Sequence, residues 1–184
     1  MQIKAQEFLP IAEAAGSIAF VDIEAANLNA DFGTIVTTSI KPYKKPPITF
    51  SARPGRDKKL LQNVHELMIQ YPLWVTFYGK LFDIPFINTR LLVNGLMPLP
   101  KNHHLDLYWT VRSGLHLSRR NQGHILNWLG TPEEKMNVGP AVWATLASDY
   151  EVNSKILVDR CESDVIGLEA MYEKVKHIVG EITR

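Results

Sequence analysis

The chain is poor in several features, and each shortage narrows what it can be. It has one cysteine, Cys161, in 184 residues, which excludes a disulfide framework and any cysteine-built zinc site. That usage fits a reducing, intracellular setting. No apolar run approaches the ~20 residues of a membrane span. The N-terminus, MQIKAQEFLP, lacks the basic-then-apolar pattern of a secretory signal. The expectation is a soluble, cytoplasmic protein with no membrane partner. Excess charge is also missing: 20 Lys and Arg against 19 Asp and Glu leave a net +1. The overall balance therefore does not announce a nucleic-acid binder, and any such reading must rest on local charge. There is no internal repeat, low-complexity segment or linker, so residues 1–184 read as a single domain.

Ordered elements are legible in the patterning. SIAFVDIE (17–24) reads as a mostly buried strand, and NLNADFG (27–33) supplies turn residues. TIVTTSIKPY (34–43) is β-branched and pairs most simply antiparallel to the first strand; ITFSA (48–52) is a short third strand. Residues 57–70 carry Leu60, Leu61, Val64, Leu67 and Met68 at helical spacing, with Asp57 a candidate N-cap. LWVTFY (73–78) reads as a buried strand, 83–94 as a helix, and 103–109 as a short strand running into a helix. Short helices are expected over 120–129 and, weakly, 140–148; residues 151–179 form one long amphipathic helix or a broken pair. Three meandering strands followed by alternating helices and strands predict an α/β domain. Its sheet is mixed, an antiparallel meander plus parallel strands, flanked by helices.

Against that frame the placement of acids stands out. Asp22 and Glu24 are two apart in one strand and project from the same face. Two like charges so close repel, and one would keep its proton unless a cation sits between them. Asp83 follows the next long buried strand, at the start of a helix where the dipole favours negative charge. Asp164 lies in the last helix near an apolar seam of Val165, Leu168 and Tyr172. Loops converge at strand ends in open α/β sheets, so these acids can meet. An oxygen-only set of four suits Mg²⁺ or Mn²⁺ and not structural zinc. Two such ions roughly 3.5–4 Å apart would clamp an in-line phosphoryl displacement. Each acid taken alone also has an ordinary structural reading, as a strand-end charge, a helix cap or half of an ion pair with Arg160.

The three segments VDIE (21–24), YGKLFDIPFINTRLL (78–92) and RCESDVIGLEAMYEKV (160–175) together resemble the three motifs of the DEDD 3′–5′ exonucleases of the RNase H-like fold. WVTFYGKLFD (74–83) is similar to the W-x-x-x-Y-G-K-x-F-D phrase of one predicted exonuclease group within it; the proofreading domains of family B DNA polymerases are more distant relatives. The resemblance spans about residues 17 to 175. It implies an RNase H-like fold and a two-metal 3′–5′ exonuclease that hydrolyses DNA or RNA from a single-stranded or frayed 3′ end. Asp22, Glu24, Asp83 and Asp164 would be the catalytic, metal-binding carboxylates. Tyr78, Lys80, Phe82 and an intermediate aspartate, Asp106, are candidate substrate-contacting positions, as is Arg160 by its own charge. An RNase H-like endonuclease, and a nucleic-acid-binding protein with a degenerate site, stay open as alternatives.

One departure bears on activity. The family carries a Tyr four residues, or a His five residues, before its last Asp; those positions hold Arg160 and Asp159. Arginine does not act as a base, but it could bind the scissile phosphate or pair with an acid. Asp159 reads as a weak base or a solvated charge, and His104, His116 and His124 are candidates to replace the missing group from elsewhere. Local charge gives the substrate signal. Lys41, Lys44, Lys45, Arg53, Arg56, Lys58 and Lys59 cluster with only Asp57 opposing; Arg112, Arg119 and Arg120 form a second group. These could contact phosphates, and Phe32, Tyr43 and Tyr108 could stack on unpaired bases.

Overall fold

The structure, a computed structural model, describes residues 2–133 and 136–183. The chain opens with β1 (Gln2–Lys4) and α1 (Ala5–Ala14), then runs through β2 (Ile18–Ala25), β3 (Ile35–Pro42), β4 (Ile48–Ser51), α2 (Lys58–Met68) and β5 (Leu73–Thr76). α3 (Asp83–Val93), β6 (His103–Asp106), α4 (Leu107–Gly114), α5 (Gln122–Trp128) and α6 (Pro140–Ala144) follow. α7 (Tyr150–Val175), a 3-10 turn (Lys176–Ile178) and β7 (Glu181–Thr183) close the fold. The sheet order is β1-β7-β6-β5-β2-β3-β4. β2, β3 and β4 form the expected antiparallel meander, while β5 pairs parallel with both β2 and β6.

The period of two in β2 divides the core. Ile18 and Phe20 pack into one apolar cluster with residues of α1, α4, α5 and α7; Ala19, Val21 and Ile23 pack into a second with α2 and α3. The sheet therefore lies between two helical layers. Phe20 is fully buried with its ring 5.6 Å from that of Tyr172, and burying a side chain of this size stabilises by about 1.5–3 kcal/mol. Asp22 and Glu24 share the Phe20 face, which directs them toward α7. β2 ends at a bulge between Glu24 and Ala25, an irregularity that re-aims side chains at a strand end.

Several expectations sharpen. The last helix is continuous from 150 to 175, not a broken pair. Asp57 holds the N-cap position of α2 but makes no side-chain cap bond. Its carboxylate instead accepts from Arg90 Nε and Nη2, Asn94 Nδ2 and the Ile35 N–H. The flanking elements β1, α1 and β7 were not expected; the two strands are only three residues each, and α1 contains Pro10 and lacks a capping side chain. Among the described residues no helix is long and apolar enough to cross a membrane.

Candidate active site

β2 and β5 run parallel, so their C-terminal ends open on the same side, and the segment after β5 carries Asp83. A cavity of about 490 Å³ lies there, lined on its polar side by Asp22, Glu24, Asp83, Arg160 and Asp164. Ligand oxygens of Asp22, Glu24 and Asp164 all lie within 4.8 Å of one another. Asp83 lines the same cavity but sits outside that tight trio. The four acids singled out from the sequence are thus brought together, from one strand and two helices that are remote in the chain.

Each acid is held. Glu24, Asp83 and Asp164 are buried, and Asp22 is half-buried. Asp83 Oδ1 accepts the Ile23 N–H at 3.1 Å, which ties the start of α3 to β2 between the two β2 acids. Burial pushes the Asp83 carboxyl up to about 7, and the Asp106 and Glu24 carboxylates push the same way; backbone N–H groups oppose them. Gln122 Nε2 donates to the Asp164 carbonyl at 2.8 Å and so docks α5 on α7 beside the site. Close docking is needed: a Cβ on Gly167 would lie 2.8 Å from Leu126 Cδ1. Cys161 donates its S–H toward Asp22 Oδ2 at 3.4 Å, and burial beside Asp22 raises its pKa, keeping it a thiol.

Arg160 faces the acids. Its Nε stands 2.6 Å from Glu24 Oε1 and 3.8 Å from Asp164 Oδ2. The cation that the paired acids require is therefore partly supplied by the chain itself.

The substrate-contacting expectations divide. Tyr78, Phe82 and Arg160 line the cavity, whereas Lys80 and Asp106 do not. Asp106 acts on the backbone: its carboxylate accepts the N–H groups of Tyr78, Lys80 and Tyr108 at 2.8, 3.0 and 3.1 Å. Those bonds clamp residues 77–82, the segment delivering Asp83. The clamp has a strained conformation to hold, since Tyr78 has φ 67°, a region costly for a bulky L-residue. Burial lowers the Lys80 pKa.

None of the candidate replacement bases lines the cavity. His104 is buried with its Nε2 2.7 Å from Thr76 Oγ1, and burial pushes its pKa down to about 3. His116 and Asp159 are exposed and His124 is half-buried; Asp159 shares α7 with Asp164 but lies outside the cavity lining. Two of the expected phosphate- and base-contacting side chains are internal instead. Lys41 is buried in an ion pair with Glu169, and Tyr43 is buried with its hydroxyl donating to Glu173 at 2.5 Å. Arg53 pairs with Glu151. Phe32 is 81% exposed. Trp143 on α6 and Leu28 in the β2–β3 loop also line the cavity. Neither sits in a motif, so no local pattern in the sequence marks them.

The profile of the RNase H superfamily matches residues 19–176. The chain belongs to the RNase H superfamily. No curated protein matches it. Among solved structures it is similar to the family B DNA polymerase from the hyperthermophilic archaeon Pyrobaculum calidifontis, with a TM-score of 0.68 and 16% identity. That match covers 85% of this chain and 24% of the polymerase chain. At such identity the likeness shows the fold, which is RNase H-like, as the motif order implied.

Proposed function

We propose that the chain is a divalent-metal-dependent nuclease that shortens nucleic acid from a single-stranded or frayed 3′ end. The observation that carries this is the convergence of four carboxylates, from three separate segments, on one cavity. Like charges buried together are unfavourable without a cation, and their oxygen-only chemistry fits Mg²⁺ or Mn²⁺. Asp22, Glu24 and Asp164 would hold an ion, with Asp83 the remaining carboxylate toward the second. Bound divalent ions supply acidification of water and neutralisation of phosphodiester charge.

The rest is the work of the chain. The Ile23 N–H fixes one Asp83 oxygen, and the Asp106 clamp holds the segment that presents Asp83. Leu28, Tyr78, Phe82 and Trp143 give the cavity an apolar wall against which a terminal base can rest. Its volume falls within the usual range of small-ligand pockets, about 300–1,000 Å³, and so suits one terminal nucleotide.

Arg160 supports a second reading, a nucleic-acid-binding protein with little or no cleavage, because it stands where a water-orienting side chain is expected and contacts Glu24. The deciding assay uses 5′-labelled single-stranded oligonucleotides, DNA and RNA, with open or chemically blocked 3′ ends. Exonuclease action gives a ladder on open ends and stalls on blocked ones. Equal internal cleavage of both sets would make the protein an endonuclease, and binding without cleavage would favour the second reading.

A further inference from the structure

Arg160 contacts two of the three acids in the tight trio. Those acids are almost shut off from solvent: the Glu24 and Asp164 side chains are 7% and 3% exposed. Little water or salt screens the interaction there, and a guanidinium stays charged at any working pH. The helix sets the approach to Asp164, since Arg160 lies one turn before it on α7 and residues four apart share a face; the closer contact to Glu24 comes from α7 packed across β2. A divalent ion entering the trio meets a positive charge already bound to its ligands. The Arg160 side chain is itself 22% exposed and lines the cavity, so it has room to move toward an anion arriving there.

We propose that Arg160 is an intrinsic counter-ion of the site. It holds Glu24 and Asp164 in place of a divalent ion until a phosphodiester draws the guanidinium away. This rests on the metal-dependent reading above and adds a regulation to it: the site binds metal weakly alone and tightly only with nucleic acid present. The phosphodiester is the fitting anion, because the planar fork of arginine matches phosphate oxygens in a two-point contact. The arrangement would keep the buried carboxylates neutralised while the enzyme waits for an end. It also accounts for a cationic residue at a position where the family places a water-orienting side chain.

The test is calorimetric titration of Mn²⁺ alone, at pH 8 without nucleic acid, into wild type, Arg160→Met, Arg160→Gln and Arg160→Lys. Removing one nearby unit charge is expected to tighten Mn²⁺ binding by about tenfold to a hundredfold in the Met and Gln variants. Arg160→Lys keeps the charge and is expected to stay near wild type, a distinction that a merely structural role would not produce. Should the Met variant fail to fold, Arg160→Gln carries the test, because it removes the charge while keeping a polar side chain at the cavity. Equal affinity in all four proteins would overturn the counter-ion role while leaving the metal site standing. No Mn²⁺ binding by any of them would overturn the metal-dependent reading itself.

Discussion

Asp57 is 1% exposed and receives hydrogen bonds from Arg90, Asn94 and the Ile35 N–H. Arg90 lies on α3, the helix that begins with Asp83, and its Nη1 also reaches the Ala30 carbonyl in the β2–β3 loop at 3.3 Å. One ion pair thus braces two walls of the site. In Asp57→Ala the Arg90 side chain, 11% exposed, keeps its charge and loses its anion. Removing one partner of a buried pair costs about 3–5 kcal/mol, mostly from the stranded charge. For a chain of this size that is a fall of about 6–20 °C in melting temperature. Urea unfolding with an unchanged slope would measure it. The double variant Asp57→Ala/Arg90→Met removes the stranded charge and should lose clearly less than the two single losses combined. A single-variant loss below about 1 kcal/mol, or strict additivity in the double, would refute the reasoning.

Two further outcomes follow from the segment between β5 and α3 and from the neighbouring β6. A Cβ on Gly79 would lie 2.5 Å from Thr76 Cβ and Oγ1; Gly79→Ala should therefore cost about 1–3 kcal/mol by overpacking. It should also slow cleavage by displacing Asp83, and a variant with wild-type melting and wild-type rate would contradict that geometry. His104 has its pKa depressed in the fold to about 3 from 6.5, so between those values the unfolded chain binds the extra proton. Its contribution is complete above pH 6.5 and is lost as the pH falls, at up to about 1.4 kcal/mol per unit. Melting temperatures of wild type and His104→Asn, followed from pH 7.5 to 4.5, should converge toward acid; parallel curves would count against it.

How much of this was legible beforehand depends on distance along the chain. β2 could be read because its pattern is local: eight residues alternating between two buried faces, with both acids in phase with Phe20. The three motifs carried the site, since each delivers its carboxylate from a strand end or helix whose direction the pattern sets. What could not be read was partnership between remote residues. Lys41 reads as a surface cation, yet its partner Glu169 lies on α7, and the pair is internal. Asp57 has the sequence context of a helix cap, but Arg90 and Asn94 claim its carboxylate. Asp106 has no local signature of a backbone clamp, because its Tyr78 and Lys80 donors belong to the segment after another strand. The Arg160–Asp164 spacing is legible along α7, but the closer contact of Arg160 with Glu24 is fixed only by packing α7 across β2.

The central claim is that the converging carboxylates make a metal-dependent site for degrading nucleic acid ends. Its most direct measurement is digestion of 5′-labelled single-stranded DNA and RNA with Mg²⁺, with Mn²⁺ or with EDTA, beside Asp22→Ala and Asp164→Asn. A ladder shrinking from the 3′ end with metal, abolished by EDTA and by either substitution, is the expected result. Cleavage that persists in EDTA, or in both variants, would contradict the account.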